Sequence, residues 1–473
     1  MAYKQKLTFG LIVGTRDIFS SKLAVEARET LLKKMEKLGY NYVILPSSET
    51  ASGSIDNYND GKKCAKIFSD NRSIIDGIII VLPNFSNELG IVNAINMAKL
   101  DVPILVQACD DDNDKVDVYS RRDAFCGKIS VCNNFYQYGI KFTDTSLHTY
   151  PLDSEAFDED IKRFASICRV VNGMKSARIG AIGARPGAFQ TVRASEKILQ
   201  ASGITVIPVD LSEIIGAANK VDDNAADLRA KISAIMDYGK ISSQVKGDKI
   251  IRQAKFGVAV ENWLEANEID ASTIECWDSL QNNYGCASCL TMSMLGEKLM
   301  PSACEVDIAG SVSMYALLLA SGNPPALLDW NNNFAQDRNK CVCTHCSNYP
   351  KSFMQNEPTI GSLDVLGTVL GQENTFGAVK GPVAPGNFTF FRISTDDPKG
   401  IIKSYLGEGL FTADPYGMDG GIAVAQVNNL QQLLKHICKN GYEHHVAMTR
   451  GNVASILEEA VDNYLGWNLY IHS

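Results

Sequence analysis

The stretch LTFGLIVG at residues 7–14 is an apolar run ending in glycine, and it predicts a buried strand. A helical spacing of apolar residues follows over residues 21–37, before Gly39 provides a stop. Further strands are expected at residues 42–46, 74–82 and 102–107, with helices at 64–69 and 88–100. Short strands that alternate with helices indicate βαβ units, and therefore a parallel sheet with helices on both faces.

The pattern restarts in the middle of the chain. Strands are expected at residues 178–183 and 204–209, with a helix at 191–202 between them. A long polar-faced helix is predicted over residues 222–246, with Gly247 as its stop. The restart predicts a second α/β domain.

Beyond about residue 353 the sequence changes to β-rich runs punctuated by glycine, proline and threonine, as in GPVAPGNFTFFR at residues 381–392. This texture predicts a mainly β third domain. The predicted domains are residues 1–170, 171–355 and 356–473, an N-terminal α/β domain, a central α/β domain and a C-terminal β domain.

Composition excludes several classes of function. A net charge of -9 and a pI near 5.3 argue against a nucleic-acid-binding protein, which needs a basic surface. No apolar run approaches the roughly 18 residues of a membrane span. The first residues lack the apolar region of a signal peptide, and the 13 cysteines are odd in number, so reduced thiols and a cytoplasmic location are predicted.

Two local motifs have weak interpretations as cofactor or metal sites. Gly180-x-x-Gly183 follows a strand but lacks the spacing of a dinucleotide fingerprint, so no organic cofactor is predicted. Cys286-x-x-Cys289 and Cys341-x-Cys343-x-x-Cys346 lie far apart and differ in spacing, which favours buried free thiols over structural zinc.

Acidic residues and histidines of the second half are more informative. Glu305 begins an apolar helix that runs to Leu319, where a helix cap is the commoner role for a carboxylate. Asp329 ends the apolar run ALLD and is expected at the C-terminal edge of a buried strand, where α/β proteins place ligands. Two carboxylates and an imidazole would suit manganese, magnesium or cobalt.

Several segments together resemble the L-fucose/L-arabinose isomerase superfamily over nearly the whole chain. They are DAFCGKIS at residues 123–130, GARP at 183–186, the helix after Glu305, Asp329, HCSNYP at 345–350 and EHHVA at 443–447. Many relatives carry glycine where this chain has Ser347. The resemblance implies two Rossmann-like three-layer α/β domains followed by a barrel-like, mainly β C-terminal domain.

The resemblance also implies a metal site and a reaction. Glu305, Asp329 and His445, rather than His444, are the implied ligands of Mn²⁺, with Mg²⁺ or Co²⁺ as alternatives. Glu305 and Asp329 are in addition the implied general base and acid of an aldose–ketose isomerisation through a cis-enediol. Whether His345 binds the metal or only the substrate stays open.

The predicted substrate is a hexose, a pentose or a modified sugar, including an anionic one such as sulfoquinovose. Candidate substrate-binding residues are Arg16, His345, Asn348, Trp277 and Trp330. Family members form trimers or hexamers, so a shared active site with Arg16 acting on a neighbouring subunit is expected. A non-catalytic sugar-binding protein with two α/β domains and an NAD-dependent oxidoreductase are the alternatives.

Overall fold

A computed structural model describes Tyr3, residues 6–346 and residues 348–473, so Ser347 of the HCSNYP segment lies outside the described residues. The chain forms two compact units. The first comprises residues 6–172 with Glu459–Gly466, and the second comprises Gly173–Glu458 and Trp467–Ser473 with Tyr3. Because the second unit includes residues of both the predicted central and C-terminal domains, the division into three domains stays a prediction.

The first unit is a five-stranded parallel sheet with the strand order β2-β1-β3-β4-β5. Its elements are β1 (Thr8–Val13), α1 (Ser21–Leu38), β2 (Asn41–Ile44), α2 (Tyr58–Asp70), β3 (Gly77–Leu82), α3 (Glu88–Ala98), β4 (Ile104–Ala108), α4 (Ala124–Gln137), β5 (Thr143–Asp144), α5 (Glu155–Met174), which extends into the second unit, and a π-helix at Glu459–Leu465. The central strands are buried along their whole length, as in sheets covered by helices on both faces. The predicted α/β alternation is confirmed.

The second unit begins with a four-stranded parallel sheet in the order β10-β9-β6-β7. Its elements are β6 (Arg178–Ile182), α6 (Glu196–Ala201), β7 (Thr205–Val209), α7 (Leu211–Lys220), α8 (Ala226–Tyr238), β8 (Lys240–Ile241), α9 (Gly247–Ala266), β9 (Ala271–Ile274), α10 (Ser279–Asn283), α11 (Cys289–Glu297), β10 (Ser302–Cys304) and α12 (Ile308–Ser321). Among the described residues, no helix combines the length and the apolar character that crossing a bilayer requires.

The predicted helix over residues 222–246 is wrong at its C-terminal end. Helix α8 stops at Tyr238, and Gly247 begins α9 rather than ending a helix. A Cβ at Gly239 would lie 2.5 Å from the backbone oxygen of Pro358, so the close approach of another chain segment requires glycine there. The break allows β8 to pair with a strand more than a hundred residues further along the chain.

The rest of the second unit is a ten-stranded, mainly antiparallel sheet in the order β19-β16-β15-β18-β11-β12-β17-β14-β13-β8. Its further elements are β11 (Pro325–Phe334), β12 (Asp337–His345), β13 (Thr359–Ser362), α13 (Asp364–Leu370), β14 (Phe376–Pro382), β15 (Gly386–Asp396), β16 (Ile401–Phe411), β17 (Gly421–Gln426), α14 (Leu430–Lys439), β18 (His445–Arg450), α15 (Ala454–Glu458) and β19 (Asn468–Ile471). An additional pairing of β16 with β17 closes part of the sheet into a ring, which confirms the barrel-like prediction.

A fully buried ion network joins α12 to this sheet. Arg392 on β15 donates from Nη1 to Oδ2 of Asp307 at 2.6 Å and from Nη2 to Oδ1 at 3.0 Å. Its Nε donates to Oε2 of Glu443 at 3.2 Å. Burial by itself would raise the pKa of Asp307, but the charge of Arg392 and a hydrogen bond from His445 hold that pKa well below its usual range. The network therefore fixes the N-terminus of α12 against the strands.

We expect Arg392→Met to lower the free energy of unfolding by about 3–5 kcal/mol, because two buried carboxylates would lose their cation. Urea unfolding followed by tryptophan fluorescence measures the effect. All 4 tryptophans, Trp263, Trp277, Trp330 and Trp467, lie in the second unit, so their fluorescence follows the unit that contains Arg392.

The matched control is Arg338→Met on the exposed part of β12, for which we expect a change within about 0.5 kcal/mol. Equal unfolding midpoints for the two variants would contradict a structural role for the buried network.

Candidate active site

Polar side chains of the second unit converge where its parallel sheet approaches strands β11 and β18. Glu275 follows β9 and accepts a hydrogen bond from the backbone of Ala184, which follows β6, at 3.0 Å. Glu305 follows β10 on the same edge of the sheet. The carboxyl ends of parallel strands are the usual ligand-binding edge of α/β proteins.

Glu305 lies in a strained turn between β10 and α12. Glu305 and Val306 have φ angles of 55° and 53°, a left-handed conformation that is costly for residues with a Cβ and most of all for a β-branched one. The expected role of Glu305 as a helix cap is wrong, because Asp307 is the cap and accepts from the backbone N–H of Gly310 at 2.8 Å. The turn leaves the Glu305 carboxylate free to point away from the helix.

Sheet register brings Asp329 and His445 together. Asp329 on β11 is the direct antiparallel partner of His445 on β18, so both side chains lie on one face of the sheet. His445 Nε2 lies 3.6 Å from Oδ1 of Asp329 and 3.6 Å from Oε2 of Glu305. Asp329 does not end its strand as expected, because β11 continues to Phe334 in an antiparallel hairpin with β12.

The orientation of His445 is set by Asp307. His445 Nδ1 lies 2.8 Å from Oδ2 of Asp307, which retains no proton to share and therefore accepts. Burial by itself lowers the pKa of His445, but the hydrogen bond to Asp307 and the neighbouring carboxylates outweigh it and raise that pKa. Nε2 is then the ring atom that faces Glu305 and Asp329 and can exchange its proton for a cation.

His444 occupies a different environment. Its side chain is 42% exposed, and its Nε2 lies 3.8 Å from Oδ1 of Asp329. Burial, followed by the charge of His445, lowers the pKa of His444 to about 4. His444 therefore borders the group of carboxylates from the side that is open to solvent.

The two carboxylates have the properties of a cation site. Glu305 Oε2 and Asp329 Oδ1 are buried and have no hydrogen-bond partner among the described residues. Burial raises the pKa of Glu305, and it raises the pKa of Asp329 to about 7. Two compact groups of ligand atoms, each within 4.8 Å, share His445: one adds Glu305 and His345, and the other adds Asp329 and His444. A divalent cation held beside His445 Nε2 and these carboxylates would stabilise their charged forms, so the residues present fit a metal ion.

His345, the last residue of β12, presents an N–H proton rather than a nitrogen lone pair to the Glu305 carboxylate. Its Nδ1 accepts a hydrogen bond from the backbone N–H of Cys346 at 2.8 Å. Burial, followed by the charge of His445, holds the pKa of His345 well below its usual range, so the ring is neutral. The proton of a neutral ring must then be on Nε2, which lies 3.6 Å from Oε2 of Glu305.

Aromatic rings form a wall beside these groups. The ring of Phe189 lies 4.8 Å from that of Trp277 and 5.8 Å from that of His444, measured between centroids. Arg185 Nη1 donates to the backbone oxygens of Pro186 and Phe189, which fixes the loop that holds this ring. Trp277, predicted from the sequence, is thus next to the site, and its buried Nε1 has no partner among the described residues.

Of the three other residues predicted to bind substrate, Asn348 lies beside the site and Trp330 does not, while Arg16 belongs to the first unit. Asn348 is buried, and its Nδ2 lies 3.5 Å from the sulfur of Cys304, next to Glu305 in the chain. Trp330 does not join the group, because adjacent strand residues face opposite sides and its Nε1 donates to the hydroxyl of Tyr405 in the barrel core. Arg16 belongs to the first unit, where it binds the backbone oxygens of Phe85 and Ser86 and the Glu88 carboxylate.

Sequence reasoning missed Asp307, Phe189 and Cys276. Cys276 follows β9 and donates to Oε1 of Glu305 at 3.2 Å. Cys276 comes two residues after the end of β9, where α/β proteins place ligands, but that strand was not predicted from the sequence. Phe189 lies in the loop after β6, seven residues beyond the end of the strand, and no sequence signal marks it. Asp307 has no sequence feature that separates an ordinary helix cap from a partner of His445.

Family models match both ends of the chain. Residues 10–175 match "Fucose/sulfoquinovose isomerase, N-terminal domain", and residues 343–472 match "L-fucose isomerase, C-terminal domain". An enzyme from Priestia aryabhattai named sulfoquinovose isomerase is 27% identical over 316 residues, which cover 65% of this chain and 67% of that protein. Enzymes of the same name from Alkalicoccus urumqiensis and Clostridium sp. (strain MSTE9) are 25% and 24% identical, with coverage of 65% and 66% of this chain and 68% of each relative.

Among solved structures, an ABC transporter periplasmic solute binding protein from Actinobacillus succinogenes 130z with bound D-allose is 10% identical and covers 67% of this chain and 92% of that chain. Its TM-score is 0.17, so this likeness carries no argument. The N-terminal and C-terminal matches are both to isomerase domains, and the named relatives are isomerases. On these matches, the chain belongs to the L-fucose isomerase-like superfamily and is an aldose–ketose isomerase.

Proposed function

We propose that this enzyme is metal-dependent and isomerises an anionic aldose of the sulfoquinovose type through a cis-enediol. The observation that carries the metal dependence is the pair of buried carboxylate oxygens without partners, Glu305 Oε2 and Asp329 Oδ1, each 3.6 Å from Nε2 of His445. A catalytic function excludes the alternative of a non-catalytic sugar-binding protein.

Glu305, Asp329 and His445 would hold the ion, and carboxylate oxygens with one imidazole suit Mn²⁺, Mg²⁺ or Co²⁺. When bound, such an ion supplies Lewis-acid polarisation of a sugar carbonyl. Asp307 keeps the His445 ring in the orientation that presents Nε2, and loss of that hydrogen bond would leave the ring free to turn.

The chain supplies two groups for proton transfer. Isomerisation removes a proton from C2 of the aldose, delivers a proton to C1, and moves the hydroxyl proton between the two oxygens. Glu305 and Asp329 are proposed as general base and acid for these transfers, since Oε2 of Glu305 and Oδ1 of Asp329 are buried and both carboxyl groups have raised pKa values. The Nε2–H of His345 is placed to donate a hydrogen bond to Glu305 or to a sugar oxygen.

The names of the relatives support a sugar with a sulfonate group, and such a substrate needs a cation beside the site. Two other arginines already use their N–H groups: Arg450 donates to the backbone oxygens of Ala384 and Pro385, and Arg16 is paired with Glu88. Arg185 uses Nη1 for the Phe189 loop and is half-buried, so its other N–H groups make it the proposed sulfonate partner. A cytoplasmic trimer or hexamer, in which Arg16 reaches a neighbouring subunit's site, remains part of the proposal.

We expect the EDTA-treated enzyme to form no ketose from sulfoquinovose, L-fucose or L-arabinose, and restored Mn²⁺ to return activity, with sulfoquinovose the best substrate. Ketose formation is measured by chromatography. Glu305→Gln and Asp329→Asn should each retain less than about a tenth of the turnover, a loss of at least about 1.4 kcal/mol of barrier stabilisation.

The control is Glu265→Gln, an exposed carboxylate on α9, which should turn over at the wild-type rate. Full activity after EDTA would contradict metal dependence, and a preference for neutral sugars would contradict the anionic substrate.

We expect His445→Ala to weaken Mn²⁺ binding at least tenfold, because it removes the imidazole that faces both carboxylates. His444→Ala should change the affinity by less than about threefold, since its ring is half exposed. Calorimetric titration of Mn²⁺ into the metal-free variants measures both constants. A larger loss for His444→Ala would show that the other histidine is the ligand.

His345 is expected to act through its proton and not as a metal ligand. His345→Leu should lower kcat at least tenfold while Mn²⁺ affinity changes by less than about threefold. His345→Gln retains an N–H donor and should recover part of kcat. Calorimetry and steady-state kinetics on the same preparations decide the role, and a tenfold weaker Mn²⁺ affinity in His345→Leu would identify His345 as a ligand.

A further inference from the structure

The Glu305 carboxylate has two chemically different sides. Its Oε2 faces nitrogen, with Nε2 of His345 and of His445 each at 3.6 Å. Its Oε1 faces sulfur, with Sγ of Cys276 at 3.2 Å and Sγ of Cys346 at 3.9 Å. The carboxylate therefore separates two imidazole nitrogens from a group of soft sulfur atoms.

The soft side is a compact group, the thiol cluster, made of Cys276, Cys304 and Oε1 of Glu305. One ligand atom from each of these residues lies within 4.8 Å of the others, and all three residues are buried. The Cys304 thiol also interacts with that of Cys289, and its sulfur lies 3.9 Å from Sδ of Met292. Sulfur atoms thus surround the cluster beyond its three members.

The dimensions of the thiol cluster suit a tetrahedral ion. Zinc takes thiolate sulfur at about 2.3 Å and carboxylate oxygen at about 2.0–2.2 Å, so neighbouring ligands lie roughly 3.5–3.8 Å apart. The Cys276 Sγ–Glu305 Oε1 distance of 3.2 Å lies close to that spacing, and the three ligand atoms all lie within 4.8 Å of one another. Manganese and magnesium prefer oxygen, whereas thiolates select Zn²⁺ and related soft ions.

We propose that the thiol cluster is a second metal site, which takes one thiophilic divalent cation such as Zn²⁺ or Cd²⁺ through Cys276, Cys304 and Oε1 of Glu305. The cation displaces one proton from each thiol, two metal–sulfur bonds form, two protons go to solvent, and nothing is oxidised or reduced. Because Glu305 belongs to both sites, an ion on the sulfur side draws this carboxylate away from His445. Such an ion would thereby inhibit the proposed isomerisation. That inhibition rests on the proposed function, whereas the binding site itself does not.

The first test is X-ray absorption at the zinc edge of the full-length protein, freed of metal and given one equivalent of Zn²⁺. A background with Cys126→Ser and Cys438→Ser removes the two exposed thiols. We expect a sulfur shell at about 2.3 Å. A spectrum with nitrogen and oxygen ligands alone would overturn the proposal. This test leaves Cys276, Cys304 and Glu305 unsubstituted, so it does not depend on whether a variant of the cluster folds.

The second test assigns the sulfur atoms. Cd²⁺ titration of the same background should give thiolate-to-metal absorption that saturates at one ion per chain. Cys304→Ser and, separately, Cys276→Ser should weaken that binding at least tenfold, while Cys64→Ser, a buried thiol of the first unit, should not change it. Circular dichroism checks that each variant is folded. Unchanged Cd²⁺ binding in a folded cluster variant, or an equal loss in Cys64→Ser, would overturn the assignment.

A third arm separates this site from the proposed active site. His445→Ala should keep the cadmium–thiolate absorption, since His445 lies on the nitrogen side of Glu305. Loss of the absorption in His445→Ala would place the ion at the histidine side and overturn the second site. If the absorption persists but neither Mn²⁺ dependence nor ketose formation is found, the proposed function fails and the thiol site stands.

Discussion

The geometry of the active site depends on the buried carboxylate of Asp307. It accepts two hydrogen bonds from Arg392, one from His445 Nδ1 and one from the backbone of Gly310, so every side of the carboxylate is satisfied. Because the guanidinium neutralises the charge in a fully buried place, Asp307 stays ionised and can orient the imidazole. Helix α12, strand β15 and strand β18 are held together at one point.

Three nearby carboxyl groups have different roles: Asp307 orients His445, whereas Glu305 and Asp329 are available for a cation and for proton transfer. Asp307 is paired with Arg392 and its pKa is low, whereas Glu305 and Asp329 have no guanidinium partner and burial raises their pKa values despite the nearby His445. The left-handed backbone at Glu305 and Val306 adds strain to this destabilised arrangement. Buried packing of α12 and the Arg392 network offset these costs, so the carboxylates remain available for a cation and for proton transfer.

Much of the architecture was predictable because hydrophobic periodicity is a local property. The parallel sheet of the first unit, the restart at β6 and the β-rich C-terminal part all follow from apolar runs and their glycine and proline punctuation. The end of α8 was not predictable, since Gly239 is required by the approach of Pro358, which no local pattern records. The position of Trp330 is different, because alternation along β11 places it on the face opposite Asp329, where it donates to Tyr405.

The sequence alone determined which residue types stand at Glu305, Asp329 and His445 and, by resemblance, which family uses them. Tertiary structure decided what each group does: the β11–β18 register places Asp329 opposite His445, and Asp307, 138 residues away in the chain, sets the His445 ring. The Nε2 proton of His345, and the thiols on the far side of Glu305, were likewise decided by tertiary structure. Protonation, ring orientation and ligand grouping depend on atoms brought together by folding, and a linear pattern carries no information about those distances.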